Sequence, residues 1–208
     1  MSIRSSLQAS LLRTSRKPQT ISLVACLLGM CLLSPNTAWT GGKDRYANGK
    51  IDVWMVEVEG YEAPRAIVKA MIDAPPEKVW PLIDKCEDYE KTMLRTESAK
   101  LIKNQGGYKY CEIEIDMPFP LDNLTSVTKA KHVAGPKKWS RKWTLVSGDY
   151  TVNEGSWVLT PFDEAGTKTM VHYQIIAEPK TSIPDWVREK AQKSALPKMI
   201  EHLRSQVE

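Results

Sequence analysis

The chain has only three histidines, His132, His172 and His202, and no two of them stand at metal-ligand spacing. No His-Glu-x-x-His pair occurs, which excludes a helix-borne zinc hydrolase. The four cysteines contain no Cys-x-x-Cys, so neither a zinc finger nor a dithiol redox centre is expected. A Gly-x-Ser-x-Gly nucleophile elbow and a glycine-rich phosphate loop are also missing. No catalytic residue, metal or cofactor is therefore assigned. The apolar run from Ile21 to Leu33 falls short of the roughly 20 residues a membrane span needs. There is no internal repeat and no low-complexity segment.

What is present begins with a segment that does not read as fold. Arg4, Arg13, Arg16 and Lys17 precede the Ile21–Leu33 run, Pro35 ends it, and small or polar residues follow to Gly41-Gly42. That is the order of a secretory signal. Residues 1–40 are expected to be the signal peptide, 41–49 a polar lead-in, and 50–207 the domain, in a secreted or periplasmic protein. An uncleaved anchor is the alternative. A lipobox-like Leu23-Val24-Ala25-Cys26 is set aside, because it would cut the apolar run in half. Cleavage lowers the Lys and Arg count from 29 to 25, against 25 Asp and Glu. A mature chain near zero net charge argues against a nucleic-acid partner. Cys86 and Cys111 survive cleavage. An oxidising compartment permits a disulfide between them; two buried thiols are the preferred reading.

The mature chain alternates strongly. Ile51–Val58 and Arg65–Ile72 read as strands around a turn at Gly60–Pro64. Ala74-Pro75-Pro76-Glu77 starts a short helix, since proline is tolerated in a first turn. Its buried stripe is Val79, Leu82/Ile83 and Cys86, and Asp88–Arg95 is a polar second helix or turn. Strands follow at Lys100–Ile102, Tyr108–Met117, Leu124–Lys131, Lys138–Val146, Tyr150–Leu159 and Lys168–Ala177, for a sheet of about seven strands. In Tyr108–Met117, the residues Cys111, Ile113, Ile115 and Met117 share one face; Glu112, Glu114 and Asp116 share the other. One dry and one wet face belong to an antiparallel sheet covered on one side. A long helix opens at Ile183-Pro184-Asp185-Trp186. It carries an apolar stripe of Leu196, Met199, Ile200, Leu203 and Val207, with a kink expected at Pro197. This order makes an α+β fold whose dry sheet face and dry terminal helix must cover each other.

Some residues invite a sharper reading. Glu112, Glu114 and Asp116 resemble general acids, but their alternation marks a solvated outer face. Either His172 or Tyr173 points inward, not both. Lys129, Lys131, Lys137, Lys138, Arg141 and Lys142 crowd one stretch around Trp139 and Trp143. They form either a transient docking surface for an anionic membrane or a hairpin with wet lysines and two core tryptophans. Trp139, Arg141 and Trp143 share one strand face, which favours tryptophans facing inward.

Several pieces in order resemble the START-type (SRPBCC, Bet v1-like, helix-grip) lipid-binding superfamily. They are Ile72-Asp73-Ala74-Pro75-Pro76-Glu77-Lys78-Val79-Trp80, Asp88-Tyr89-Glu90, Pro118-Phe119-Pro120-Leu121, Gly155-Ser156-Trp157-Val158-Leu159-Thr160-Pro161, Gly166-Thr167-Lys168 and Ile183-Pro184-Asp185-Trp186. The resemblance covers roughly residues 50 to 207. It implies a curved antiparallel sheet gripping the C-terminal helix, with a tunnel between them. It also implies a ligand among sterols, phospholipids, polyketides or plant metabolites. After Pro-x-Pro the superfamily often carries an Arg-Asp pair; here Leu124 and Thr125 stand in those places.

These readings converge on an exported carrier or sensor of a hydrophobic small molecule, most simply a lipid. The expected lining is Ile113, Ile115, Met117, Trp143, Trp157, Tyr173, Trp186, Met199, Ile200 and Leu203, with the terminal helix as a lid hinged near Pro197. A polyketide cyclase or aromatase is the alternative, with Tyr110, His172 or Tyr173 shuttling protons. An interaction module whose cavity has collapsed around the tryptophans is a third.

Overall fold

The computed structural model of the chain describes residues 44–207. The expected signal segment lies outside the described residues. The lead-in is not wholly polar coil: Asp44–Ala47 forms a short helix, α1. Eight strands follow: β1 (Ile51–Val56), β2 (Arg65–Ile72), β3 (Thr96–Gln105), β4 (Tyr108–Ile115), β5 (Leu124–Gly135), β6 (Lys138–Gly148), β7 (Tyr150–Pro161) and β8 (Thr169–Pro179). They form one open sheet in the order β1-β2-β8-β7-β6-β5-β4-β3, and every neighbouring pair is antiparallel. The sheet is curved, with the C-terminal helix against it. All eight segments read as strands form, one more than the expected total of about seven, and β3 runs well beyond Lys100–Ile102. β3 is an edge strand with mostly exposed residues, so apolar alternation reveals little of its length.

Between β2 and β3 the chain forms α2 (Pro76–Asp84), a 3-10 turn at Cys86–Asp88 and α3 (Tyr89–Thr92). Pro75 caps α2 and Pro76 takes its first position, where a missing N–H costs nothing. Val79 and Ile83 are fully buried, and Trp80 joins them. The Tyr89 hydroxyl donates to the Ile83 carbonyl at 2.5 Å, and Thr92 Oγ1 donates to that of Leu82 at 3.0 Å. These bonds hold α3 against α2. Cys86 and Cys111 are joined by a disulfide between the 3-10 turn and β4, with Cα atoms 6.4 Å apart. That corrects the preferred reading of two free thiols; spacing alone does not reveal that a turn after α2 packs on β4.

Period-two alternation decides the inner face. It carries Ala66, Val68, Ala70 and Ile72 from β2, and Ser126, Thr128 and Ala130 from β5. From the remaining strands come Trp139, Arg141 and Trp143 (β6), Trp157 and Leu159 (β7), and Val171 and Tyr173 (β8), all buried. Register shifts in β3 and at Val127/Thr128 and Tyr150/Val152 mark bulges, which bend strands. Gly106 and Gly107, both at positive φ, make the two-residue turn joining β3 to β4.

The terminal helix is not one continuous kinked rod. It runs as α4 (Asp185–Lys190), a π turn at Ala191–Ala195, and α5 (Leu196–Ser205), with Pro197 in the first turn of α5. Proline there removes an N–H and crowds the carbonyl four residues back, and a locally widened turn relieves both. Ile200 and Leu203 are fully buried against the sheet, with Leu196, Met199 and Val207 packed beside them. Truncating either buried residue to alanine costs about 2–5 kcal/mol. Arg204 fixes the far end of α5: Nε and Nη2 donate to the Met71 carbonyl at 3.0 and 2.7 Å, and Nη1 to that of Gly49 at 3.0 Å.

Candidate functional site: the inner face of the sheet

Six of the ten expected lining residues meet in one cluster. Trp143, Trp157, Tyr173, Ile200 and Leu203 are buried together, with Met199 packed against them. Trp157 and Tyr173 lie 4.3 Å apart between ring centroids, and Trp143 stacks on Tyr173 at 6.1 Å. Gly155 makes the seat for this arrangement. It stands opposite Trp143, and a Cβ there would overlap both the indole ring and the Gln174 carbonyl. The Trp143 Nε1 donates to Asn153 Oδ1 at 3.0 Å, and the Asn153 amide reaches Ser126 Oγ at 3.3 Å.

The other expected lining residues fall elsewhere. Ile113 packs beside the disulfide and Tyr89. Met117 belongs to a satellite cluster of Leu124, Tyr150, Ile183 and Val187, which Leu121, Leu145 and Ala177 also join. Ile115 is half-buried on β4. Trp186 is not in the interior: it is 49 % exposed on α4, while Val187 of α4 and Ile183 just before it are buried. The buried apolar residues thus group into a main cluster and two smaller ones, with Met93 packed against both the main cluster and the one at the disulfide. Ile113, Ile115, Met117, Leu145, Ile175 and Ala177 remain only partly buried.

Two surface concavities contain none of the ten expected residues. One, of about 710 Å³, lies between the start of α2 and the β5–β6 and β7–β8 connections, from Pro76 and Glu77 to Lys137 and Glu164. The other, of about 300 Å³, lies at the β3–β4 turn beside His132.

Beside the inner face, Asp84 Oδ1 accepts from His132 Nδ1 at 2.6 Å and Oδ2 accepts from Lys109 Nζ at 2.9 Å. Burial disfavours the Asp84 charge, but the two hydrogen bonds outweigh it and hold its carboxyl below the usual range. Burial lowers the His132 pKa despite that bond, so the ring is neutral with its proton on Nδ1. The three proton-shuttle candidates are not brought together. Tyr173 faces inward; Tyr110 and His172 face outward, under Lys103 and opposite Lys69 respectively. Burial first, and Lys69 second, lower the His172 pKa. Glu114 is also on the outer face, bonded to Ser98 and Asn123. Among the described residues no cluster of His, Cys, Asp or Glu could hold a metal ion. None of their helices is long and apolar enough to cross a membrane.

The basic stretch divides by parity. Lys129, Lys131, Lys137, Lys138 and Lys142 are exposed, whereas Trp139, Arg141 and Trp143 point inward. Sequence reasoning noted the shared face and still counted Arg141 among the surface charges. The same alternation placed Ser126, Thr128 and Asn153 inside, but polar residues of that size give no apolar signal.

A family model described as polyketide cyclase/dehydrase and lipid transport matches residues 72–204. The chain belongs to this family. Its membership spans the region from the end of β2 to the last turn of α5. No curated protein matches the chain in sequence. Among solved structures, the STAR-related lipid transfer protein from Xanthomonas axonopodis is 20% identical with a TM-score of 0.64, over 76% of this chain and 93% of that one. Human StAR-related lipid transfer protein 5 is 12% identical with a TM-score of 0.64, over 77% and 82%. The Zhui aromatase/cyclase from Streptomyces sp. R1128 is 14% identical with a TM-score of 0.53, over 69% and 90%. At these identities the likeness is one of fold, and it supports the START-type, helix-grip assignment.

Proposed function

We propose that this protein is an exported, non-catalytic carrier of a lipid-like molecule, held between the inner sheet face and the terminal helix. The supporting observation is that inner-face apolar residues beside the main cluster, Ile113, Ile115 and Met117 among them, are only partly buried. Ile113 and Ile115 stand on β4, towards the opposite edge of the sheet from β1 and β2, against which α5 packs, and with Met117 they are only partly buried. A guest covering them gains about 25 cal/mol per Å² of apolar surface. The family's lipid-transport members and the fold it shares with lipid-transfer proteins point the same way.

Access in this reading runs under α4. Arg204 ties the C-terminal end of α5 to β2, and the His202 ring bonds the Lys91 carbonyl at 3.0 Å. The π turn then separates this anchored half from α4, whose Val187 packs in the satellite cluster. Phe119, 93 % exposed, and Trp186 belong to the two segments that cover that cluster. They are the side chains that would touch a membrane during loading. Export is supported by the Ile21–Leu33 signal pattern and by a disulfide, which persists outside reducing compartments.

Titration with a fluorescent polyene fatty acid tests the carrier reading. Bound probe is expected to quench Trp143 and Trp157 by energy transfer with micromolar or tighter affinity. Absence of saturable binding below high micromolar sinks it.

A further inference from the structure

Three polar side chains on the inner face carry groups with no hydrogen-bond partner among the described residues. Arg141 is 3 % exposed and its Nε has no hydrogen-bond partner. Among the described residues no hydrogen bond or ion pair reaches its guanidinium. Its neighbours are the ring faces of Trp143 at 4.7 Å and Tyr89 at 5.7 Å. Thr128 Oγ1 is buried and unpartnered. The hydroxyl of Tyr173, itself 7 % exposed, makes no hydrogen bond to the described residues.

Strand register gathers these groups. Arg141 stands opposite Trp157, and Trp157 opposite Tyr173, so the three form one row across β6, β7 and β8. Trp143 contacts both the guanidinium and Tyr173. Thr128 shares the face of β5 that carries Ala130, which is opposite Trp143. Among the described residues no ion pair joins Arg141 to Asp84, whose two oxygens hold Lys109 and His132. Aromatic faces attract the guanidinium charge but accept none of its in-plane N–H groups. A buried cation left in this state calls for a counter-anion.

We infer that Arg141 seats an oxyanion head group, carboxylate or phosphate, of the bound amphiphile, with Tyr173 and Thr128 as further donors. The inference rests on the carrier reading above and names the chemical class of its cargo. A planar guanidinium fork fits a carboxylate or phosphate through two parallel hydrogen bonds. Burial pushes the Tyr173 pKa far up, so its hydroxyl remains a donor at neutral pH. The apolar tail then extends over the partly buried Ile113, Ile115 and Met117. The site stands on β6, apart from Leu124 and Thr125, which occupy the places of the Arg-Asp pair common in the resembling superfamily.

The test uses the delipidated full chain with oleate, a lysophosphatidate of the same chain length, and uncharged oleyl alcohol. The wild-type protein is expected to bind at least one anionic amphiphile tenfold or more tighter than the alcohol. Whichever anion is preferred identifies the head group as carboxylate or phosphate. Arg141→Met keeps length and apolar bulk; it is expected to abolish this preference while changing alcohol affinity less than twofold. Because it removes an unpaired buried charge, the empty variant is expected to melt no lower than wild type. Equal affinity of the wild type for anions and alcohol overturns the head-group seat and leaves the carrier reading standing. Binding of none of the three overturns both. The wild-type comparison needs no variant to fold. Tyr173→Phe supplies a milder one, expected to weaken only the anionic ligands; equal weakening of the alcohol counts against the proposal.

Discussion

Breaking the Cys86–Cys111 bridge is expected to cost about 3.5 kcal/mol. The two cysteines are 25 residues apart, and closing a loop of that length in the unfolded chain accounts for this figure in the chain-entropy model at 25 °C. For a domain of this size it lowers the melting temperature by about 7–14 °C. Both cysteines are fully buried, so reductant is best applied to the unfolded chain before refolding. Comparing oxidised with reduced wild type, rather than with an alanine variant, avoids a cavity penalty. Urea unfolding provides the assay, with a smaller m-value expected for the oxidised form because its unfolded state is cross-linked. Agreement of the two stabilities within about 1 kcal/mol refutes the reasoning. So does alkylation of both cysteines in denatured, unreduced protein taken from cells.

Gly155→Ala forces a methyl group into the Trp143 ring and the Gln174 carbonyl, and is expected to destabilise the fold by about 1–3 kcal/mol; thermal unfolding checks this. Arg204→Met removes three hydrogen bonds to carbonyls and should loosen α5, read as faster hydrogen exchange in Leu196–Ser205. Acid stability should fall in two stages. His132 is held neutral in the fold, so the unfolded chain binds the extra proton and stability drops as pH falls below about 6.5. The depressed Asp84 carboxyl contributes stability above about 4 and loses it as pH falls through its lower folded value. Asp84→Asn should flatten the lower stage in unfolding measured against pH. N-terminal sequencing of protein recovered outside the cytoplasm should begin near residue 41; an intact Met1 would leave the signal-peptide expectation unsupported.

The sequence made the fold legible wherever burial alternates cleanly. Pro75-Pro76-Glu77 located α2, and parity along β6, β7 and β8 placed Trp143, Trp157 and Tyr173 on one inner face. The full length of β3 was hidden because an exposed edge strand shows little apolar pattern. Trp186 was misplaced because helical periodicity cannot tell which face of a short helix such as α4 meets the sheet when Ile183 and Val187 compete for it. The disulfide depended on a tertiary contact between the turn after α2 and β4. Arg141 was the residue most open to a better reading, since its parity with Trp139 and Trp143 already pointed inward. A cluster of neighbouring lysines drew it to the surface instead. Its lack of a partner is visible only once the surrounding side chains are placed.

Native mass spectrometry of the protein released gently from its own cells, followed by solvent extraction, tests the carrier assignment most directly. The prediction is a protein carrying close to one equivalent of a single amphiphile class, lost on extraction and regained on exposure to that lipid. Bare protein that takes up no lipid would mean that the three apolar clusters are simply its finished core.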